Sequence, residues 1–251
     1  MILKGLMPDF AFCYGLTFVI LYRYLSAENA LKSLQTNRFR VSPLGMLNDI
    51  FDCAPLIVRE KSQGQENPEK DFWFTDFVFA QLGVICFSEE WDNLLLWAHY
   101  GSGYSGIALG FESEELADTH RKPFLRKIDY SSNDRPIVVE DEIYKLPDTG
   151  GARRDYLIDR YSKKGRNWEY EKETRLFVPF LDCKPIGTDF FCEFPPTSLK
   201  KVILGPKCNL GRTIVERSLE FRSDGGFYEA QVLKAVPKEA TFGLEEEHVW
   251  L

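Results

Sequence analysis

The rhythm of apolar and polar positions divides the chain into short strands and amphipathic helices. Residues 18–25 read as a strand. Ser26 stands where a helix N-cap belongs, and Ala30, Leu31 and Leu34 then share one face of a helix over 27–35 that Asn37 ends. A short strand over 39–41 is followed by a loop over 42–52 containing Pro43 and Gly45. The polar run 63–70 reads as a loop, and 71–82 as a helix with Phe74, Phe77, Val78 and Leu82 inward. A buried strand over 84–87 leads to Asp92 or Asn93, either of which can cap a helix reaching Tyr100. Over 105–111 the period drops to two, with Ile107, Leu109 and Phe111 on one face.

The second half continues in the same mixture. A strand over 124–130 precedes an irregular, partly acidic stretch over 134–148 and a basic helix over 152–164. Strands follow over 174–180, 190–194 and 201–204, then a helix over 210–221 closed by Gly225 and Gly226. A last strand over 228–236 precedes an acidic tail with Glu245 and Glu247. Strands and helices mix without a βαβ repeat, which predicts an α+β fold. No linker forces a division, so the organisation expected is an N-terminal extension over 1–19 and one domain over 20–251. The run 10–22 is uncharged and mostly apolar, but it is too short to span a bilayer and no small-residue cleavage site follows it.

Composition narrows the function classes. The 251 residues carry a net charge of −7, which disfavours a broad electrostatic grip on nucleic acid. The six cysteines include no C-x-x-C pair, and none of the three histidines stands at metal spacing with them, so no metal site is expected. A reducing, cytoplasmic setting fits that usage. Aromatic residues make up 14% of the chain, enough for an aromatic core or for a ring-lined cleft.

Two segments concentrate chemistry. The first runs from Cys86-Phe87-Ser88-Glu89 to Asn93, Trp97, His99 and Tyr100. On a helix starting near Asp92, Asn93, Trp97 and Tyr100 share one face, while Leu95 and His99 share another. The plainer reading is an amphipathic helix whose Trp and His pack internally. The glycines at 101, 103 and 106 match G-x-G-x-x-G, but they follow a helix and precede a strand, the reverse of the dinucleotide-binding context. They read as a helix cap and a turn.

The second segment is Trp168-Glu-Tyr-Glu171-Lys-Glu173-Thr-Arg175. In an extended chain Glu171, Glu173 and Arg175 would point to one side. Paired carboxylates beside an arginine suit general-base or oxocarbenium-stabilising work. A solvent-exposed, charge-laced strand edge is the plainer alternative. The stretch Asn48-Asp49-Ile50-Phe51-Asp52 reads locally as Asn/Asp turn chemistry. The basic helix, with Arg153, Arg154, Arg160, Lys163 and Lys164, reads as a solvated face before a phosphate site.

Taken in order, these motifs resemble the mainly bacterial domain-of-unknown-function family numbered 2971. The resemblance rests on Tyr22-Arg23-Tyr24, Asn48 to Asp52, Cys86 to Gly106, Trp168 to Arg175 and Val202 to Gly205. Ile50 stands where that family usually has proline. A weaker likeness is to the ADP-ribosyltransferases, through an arginine on a first strand, a serine ending a second and E-x-E opening a third. That likeness implies a mixed, split sheet with peripheral helices. It also implies NAD as substrate, Arg23 on its phosphate, Ser88 in the nicotinamide pocket, and Glu171 and Glu173 at the ribose. Tyr24, Trp97 and Tyr100 would wall the pocket, with Tyr22, Asn48, Asp49, Asp52, Asn93, Trp168 and Arg175 around it. The expected activity is ADP-ribosyl transfer or NAD hydrolysis of a defence or toxin type. The alternatives are a hydrolase or nuclease using His99 with a carboxylate, and a non-catalytic module binding a small ligand or partner. No membrane association is expected.

Overall fold

The computed structural model describes residues 19–52, 56–58, 82–117, 124–147, 151–220 and 228–248. The expected extension up to residue 18, the loop over 63–70, the helix over 71–81, Gly225, Gly226, Cys13 and Cys53 lie outside the described residues. Among those described, helices pack around a large mixed sheet, so the fold is α+β. No helix there is long and apolar enough to cross a membrane.

The sheet is built on β1 (Ile20–Leu25), β2 (Arg38–Pro43), β4 (Leu82–Ser88), β5 (Ile107–Glu112) and β8 (Glu173–Pro179). β4 is apolar nearly throughout, as a strand covered on both faces must be. It pairs antiparallel with β8 along its whole length, from Leu82↔Pro179 to Ser88↔Glu173. Its other edge is held only at the ends. Ser88 pairs with Tyr22 of β1, while Gly83 and Val84 pair with Pro43 and Ser42 of β2. β1 leaves β4 to pair with β5 over its six residues, from Ile20↔Glu112 to Leu25↔Ile107. The sheet therefore opens at its middle, between two strands that stay joined at one residue pair.

Beyond β5 the sheet continues through β11 (Leu199–Leu204), β12 (Gln231–Pro237) and β13 (Leu244–His248), and beyond β2 through β10 (Asp189–Glu193) and β9 (Lys184–Ile186). β6 (Leu125–Lys127) adds to β8, and β3 (Leu56–Val58) pairs separately with β7 (Ile137–Val139). β13 corrects the reading of an acidic tail. Buried Leu244 anchors it, and Lys201 Nζ meets Glu246 at 2.7 Å across β12. The stretch from 134 is likewise less irregular than expected, since it holds β7 and the helix Glu140–Lys145.

The first helix, Ala27–Thr36, obeys its cap: Ser26 Oγ accepts the Asn29 N–H, and Asn37 closes it in the left-handed region at φ 55. Its buried face covers an aromatic core in which Phe39 meets Phe87, Phe111 and Phe194 edge-on or tilted. On another face of the sheet, Tyr22, Tyr24, Leu96 and Trp97 pack together, with Tyr24 and Trp97 at 5.0 Å edge to face.

Candidate active site

The gap between β1 and β4 holds a cavity of about 260 Å³. Backbone or side chains of Tyr22, Arg23 and Tyr24 form one wall, and Cys86 and Ser88 another. Asn48, Asp52 and Tyr100 close it from two loops, and Lys164, Glu171 and Glu173 form its floor. Thus nine residues read as site candidates from sequence meet at one place. Cys86 and Lys164, which are not among those site candidates, join them.

The floor is a buried ionic cluster. Arg175, with no exposed surface, donates through Nε to Glu173 Oε1 at 2.7 Å and through Nη2 to Glu173 Oε2 at 2.8 Å. The same Nη2 reaches Asp52 Oδ2 at 2.6 Å, across 123 residues of chain. Lys164 Nζ donates to Glu171 Oε2 at 2.6 Å, and lies 3.2 Å from Asp52 and 3.3 Å from Glu173. Its ammonium sits over the Trp168 ring, 4.8 Å from the centroid. Charges this deep persist only when paired.

The local chain explains how both glutamates reach Lys164. Glu171 is not in the strand, contrary to the alternation argument. It ends a 3-10 turn, Arg166–Glu171, and Lys172 follows in the left-handed region at φ 42. A non-glycine residue held there requires support from its surroundings. Lys172 is ion-paired with Glu90, and its carbonyl accepts the Glu89 N–H at 3.1 Å. This bend replaces strand geometry as the device that brings Glu171 and Glu173 together.

The two carboxylates are driven apart in acidity. For Glu173 burial opposes ionisation, but Arg175, Lys164 and the Cys86 thiol outweigh it and hold the pKa down to about 2. For Glu171 burial wins over Lys164 and Tyr100 and raises the pKa. Tyr100 donates its hydroxyl to Glu171 Oε1 at 2.7 Å and accepts from Asn48 Nδ2 at 2.7 Å. Burial and the Glu171 carboxylate together raise Tyr100. Lys164 is raised despite its burial, because Glu173, Asp52 and Glu171 surround it.

Arg23 is half-buried and donates to the Arg40 carbonyl at 2.7 Å, with its guanidinium 5.2 Å from the Phe39 centroid. Its Nη1 is buried with no hydrogen-bond partner among the described residues. Burial pulls the group down to about 10. Ser88 Oγ accepts the Glu90 N–H at 3.0 Å and retains its own proton to donate.

Other candidates do not reach the cavity. His99 is exposed, on the outward face with Leu95. Trp97 is fully buried, and its indole N–H donates to the Trp91 carbonyl at 2.7 Å. Asn93 caps the helix Leu94–His99, accepting from the Leu95 and Leu96 N–H groups, and donates to Tyr170 O at 2.8 Å. Asp49 accepts the Phe51 N–H in a local turn. Trp168 supports Lys164 from outside, and Arg175 lies beneath the floor. Tyr22 and Tyr24 do line the cavity, but their rings pack in the apolar cluster around Trp97, and Tyr24 donates its hydroxyl to Glu90 O. The glycine run forms the turn expected of it, with Gly101 N–H returning to Leu96 O and Gly106 leading into β5. No group of metal-binding side chains was found among the described residues.

Lys164 escaped the sequence reading because the basic helix was extended through it. The helix Ala152–Tyr161 stops earlier, where Ser162 Oγ bonds back to Ile158 O, and the chain turns inward. An expected helix face thus became a buried loop position.

Residues 96–176 match the model of a family described as a protein of unknown function, DUF2971. The match bears out the family resemblance over that segment, which contains Tyr100, Lys164, Glu171, Glu173 and Arg175. No curated protein and no solved structure matches the chain.

Proposed function

We propose that this DUF2971-like chain uses the cavity between β1 and β4 to cleave the nicotinamide glycosidic bond of NAD, as an ADP-ribosyltransferase or NAD glycohydrolase. The observation that carries the reading is the pair of neighbouring glutamates with opposed acidity on the floor of one cavity. Such a separation is how one site obtains a permanent anion and a proton-exchanging group. Arg23 and Ser88 line the same cavity, as the ADP-ribosyltransferase likeness implies.

In this reading the bond between the nicotinamide nitrogen and the ribose anomeric carbon breaks, and its electron pair leaves with neutral nicotinamide. Glu173, ionised throughout the neutral range, stabilises the positive charge that develops on the ribose. Water or a nucleophile on a target then bonds to the anomeric carbon, and Glu171 takes its proton. Arg23 and Ser88 supply hydrogen bonds to the ligand. At about 260 Å³ the cavity is near the lower end of ligand pockets, roughly 300–1,000 Å³. It suits a ring and a sugar, with the rest of the dinucleotide outside.

The test is to incubate the protein with NAD, alone and with candidate protein acceptors, and to measure free nicotinamide. Release that falls by about 10²–10³ in Glu173→Gln supports the reading. Absence of release from wild type across those conditions removes it. A second reading is favoured by the mutual ion pairing of the floor charges, which suits a preformed binding pocket. NAD binding without any nicotinamide release selects that one.

A further inference from the structure

Glu171 meets a donor on each of its oxygens. Lys164 Nζ reaches Oε2 at 2.6 Å, and the Tyr100 hydroxyl reaches Oε1 at 2.7 Å. The second contact is one link of a chain. Asn48 Nδ2 lies 2.7 Å from the same Tyr100 oxygen, and Asn48, Tyr100 and Glu171 all line the cavity. A phenol carries a single proton. With an amide N–H pointing at its oxygen, Tyr100 directs that proton to Glu171. The chain therefore runs one way, from Asn48 through Tyr100 to the carboxylate. A protonated Glu171 that donates to Tyr100 turns the phenol proton toward Asn48, where it meets another donor until the amide swings round. The two supports differ in rigidity. Tyr100 closes the helix Leu94–His99, its own N–H on Leu96 O at 2.8 Å, and buried Leu96 and Trp97 anchor that helix. Asn48 is exposed, on the loop after β2 whose Asp52 meets Arg175 and Lys164.

We propose that Tyr100 and Asn48 are positioning residues for Glu171: together they commit the phenol proton to the carboxylate and hold it ready to accept a proton, so the loop carrying Asn48 regulates the site. The part Glu171 plays in a reaction rests on the reading above; the hydrogen-bond chain does not. Glu171 also faces Lys164 from the chain beyond the helix Ala152–Tyr161, Glu173 from β8, and Tyr130 and Tyr170 at longer range. Asp52 and Arg175 lie beyond Lys164 and Glu173. Tyr100→Phe removes one donor and leaves those groups in place. Burial raises Glu171 and the Tyr100 hydrogen bond opposes the rise, as a donor to the charged form must. Tyr100 is itself raised, so it orients its proton and does not release it.

The Glu171 carboxyl can be followed directly by carbon NMR on protein labelled in its glutamate side chains, its signal identified by loss in Glu171→Gln. The titration needs no ligand. Tyr100→Phe is expected to raise the Glu171 midpoint by about one pH unit. Asn48→Asp, whose ionised side chain only accepts and so competes for the phenol proton, is expected to raise it by roughly half as much. Asn48 is exposed, so this variant keeps the test open whatever Tyr100→Phe does to folding. In the double variant the shifts are less than additive, because both changes act on one hydrogen bond. Nicotinamide release from NAD, measured in parallel, should fall in acid with the Glu171 midpoint. In each variant that acid limb of kcat moves with the NMR midpoint, while KM for NAD changes by less than about twofold. A purely structural role for Tyr100 lowers the folded fraction without moving either. A midpoint unmoved in Tyr100→Phe and Asn48→Asp, additive shifts, or an acid limb that stays in place while the midpoint moves overturns the inference. No release from wild type, with the NMR shifts as expected, supports the chain and removes only the reaction proposed above.

Discussion

The segments 87–106 and 164–175 are both dense in chemically capable side chains, yet the tertiary structure uses them differently. In the first, Trp97 fills the core, Asn93 caps a helix, the glycines make a turn and His99 faces solvent. Only Ser88 and Tyr100 of its candidates reach the cavity. In the second, Lys164, Glu171, Glu173 and Arg175 are all buried and bonded to one another or to Asp52. The difference teaches that density of functional groups does not define a site. Convergence and burial do, since burial is what makes charges costly, paired and shifted in acidity.

The largest expected effect tests whether the second segment depends on its pairing. Arg175→Met removes the guanidinium that Asp52 and Glu173 share in the buried cluster, and should lower stability by about 3–5 kcal/mol in denaturant unfolding. A loss below about 1 kcal/mol would mean the cluster is far wetter than its burial implies. The next effect separates the two glutamates by pH. Glu173 falls from its ordinary 4.5 to about 2, so its contribution is present above 4.5 and is lost as pH falls toward 2. Removing it by Glu173→Gln should cost about 2–4 kcal/mol near neutrality and progressively less in acid. Glu171 has the opposite sign. Its folded pKa lies above 4.5, so its protonation adds stability as pH falls through that folded value, and its ionisation costs stability above it. Glu171→Gln should therefore be milder at neutral pH, and parallel acid curves for the two variants would break the distinction.

Smaller effects probe the first segment. Asn93→Ala removes a cap and should cost about 1 kcal/mol, read from thermal or denaturant midpoints. His99→Ala should change stability by no more than about 0.5 kcal/mol and leave any nicotinamide release unchanged. A marked loss of release would return His99 to the site and revive the hydrolase alternative.

Much of the frame was readable residue by residue. The strand read over 18–25 and the period-two strand over 105–111 fall on β1 and β5, and Ser26 and Asn37 mark the limits of the first helix. The charges of the second segment mark it in the sequence, but a single strand face does not account for Glu171, which ends a 3-10 turn. What replaced it is a left-handed Lys172 held by Glu90 and by the end of β4, partners more than eighty residues away in sequence. Lys164 was hidden for a related reason: its spacing continues a basic helix that in fact stops at Tyr161. β13 was hidden because its glutamates look like a solvated tail until Lys201 is placed beside them.

The chain alone determined its α+β class, most of its strands and which short motifs carry reactive groups. These follow from periodicity and capping, which act over a few residues. Only the tertiary structure decided that β1 and β4 part after Tyr22↔Ser88, that Asp52 closes onto Arg175, and that Tyr100 rather than His99 turns toward Glu171. Those outcomes depend on which faces meet across long stretches of chain, and on burial that no local pattern encodes.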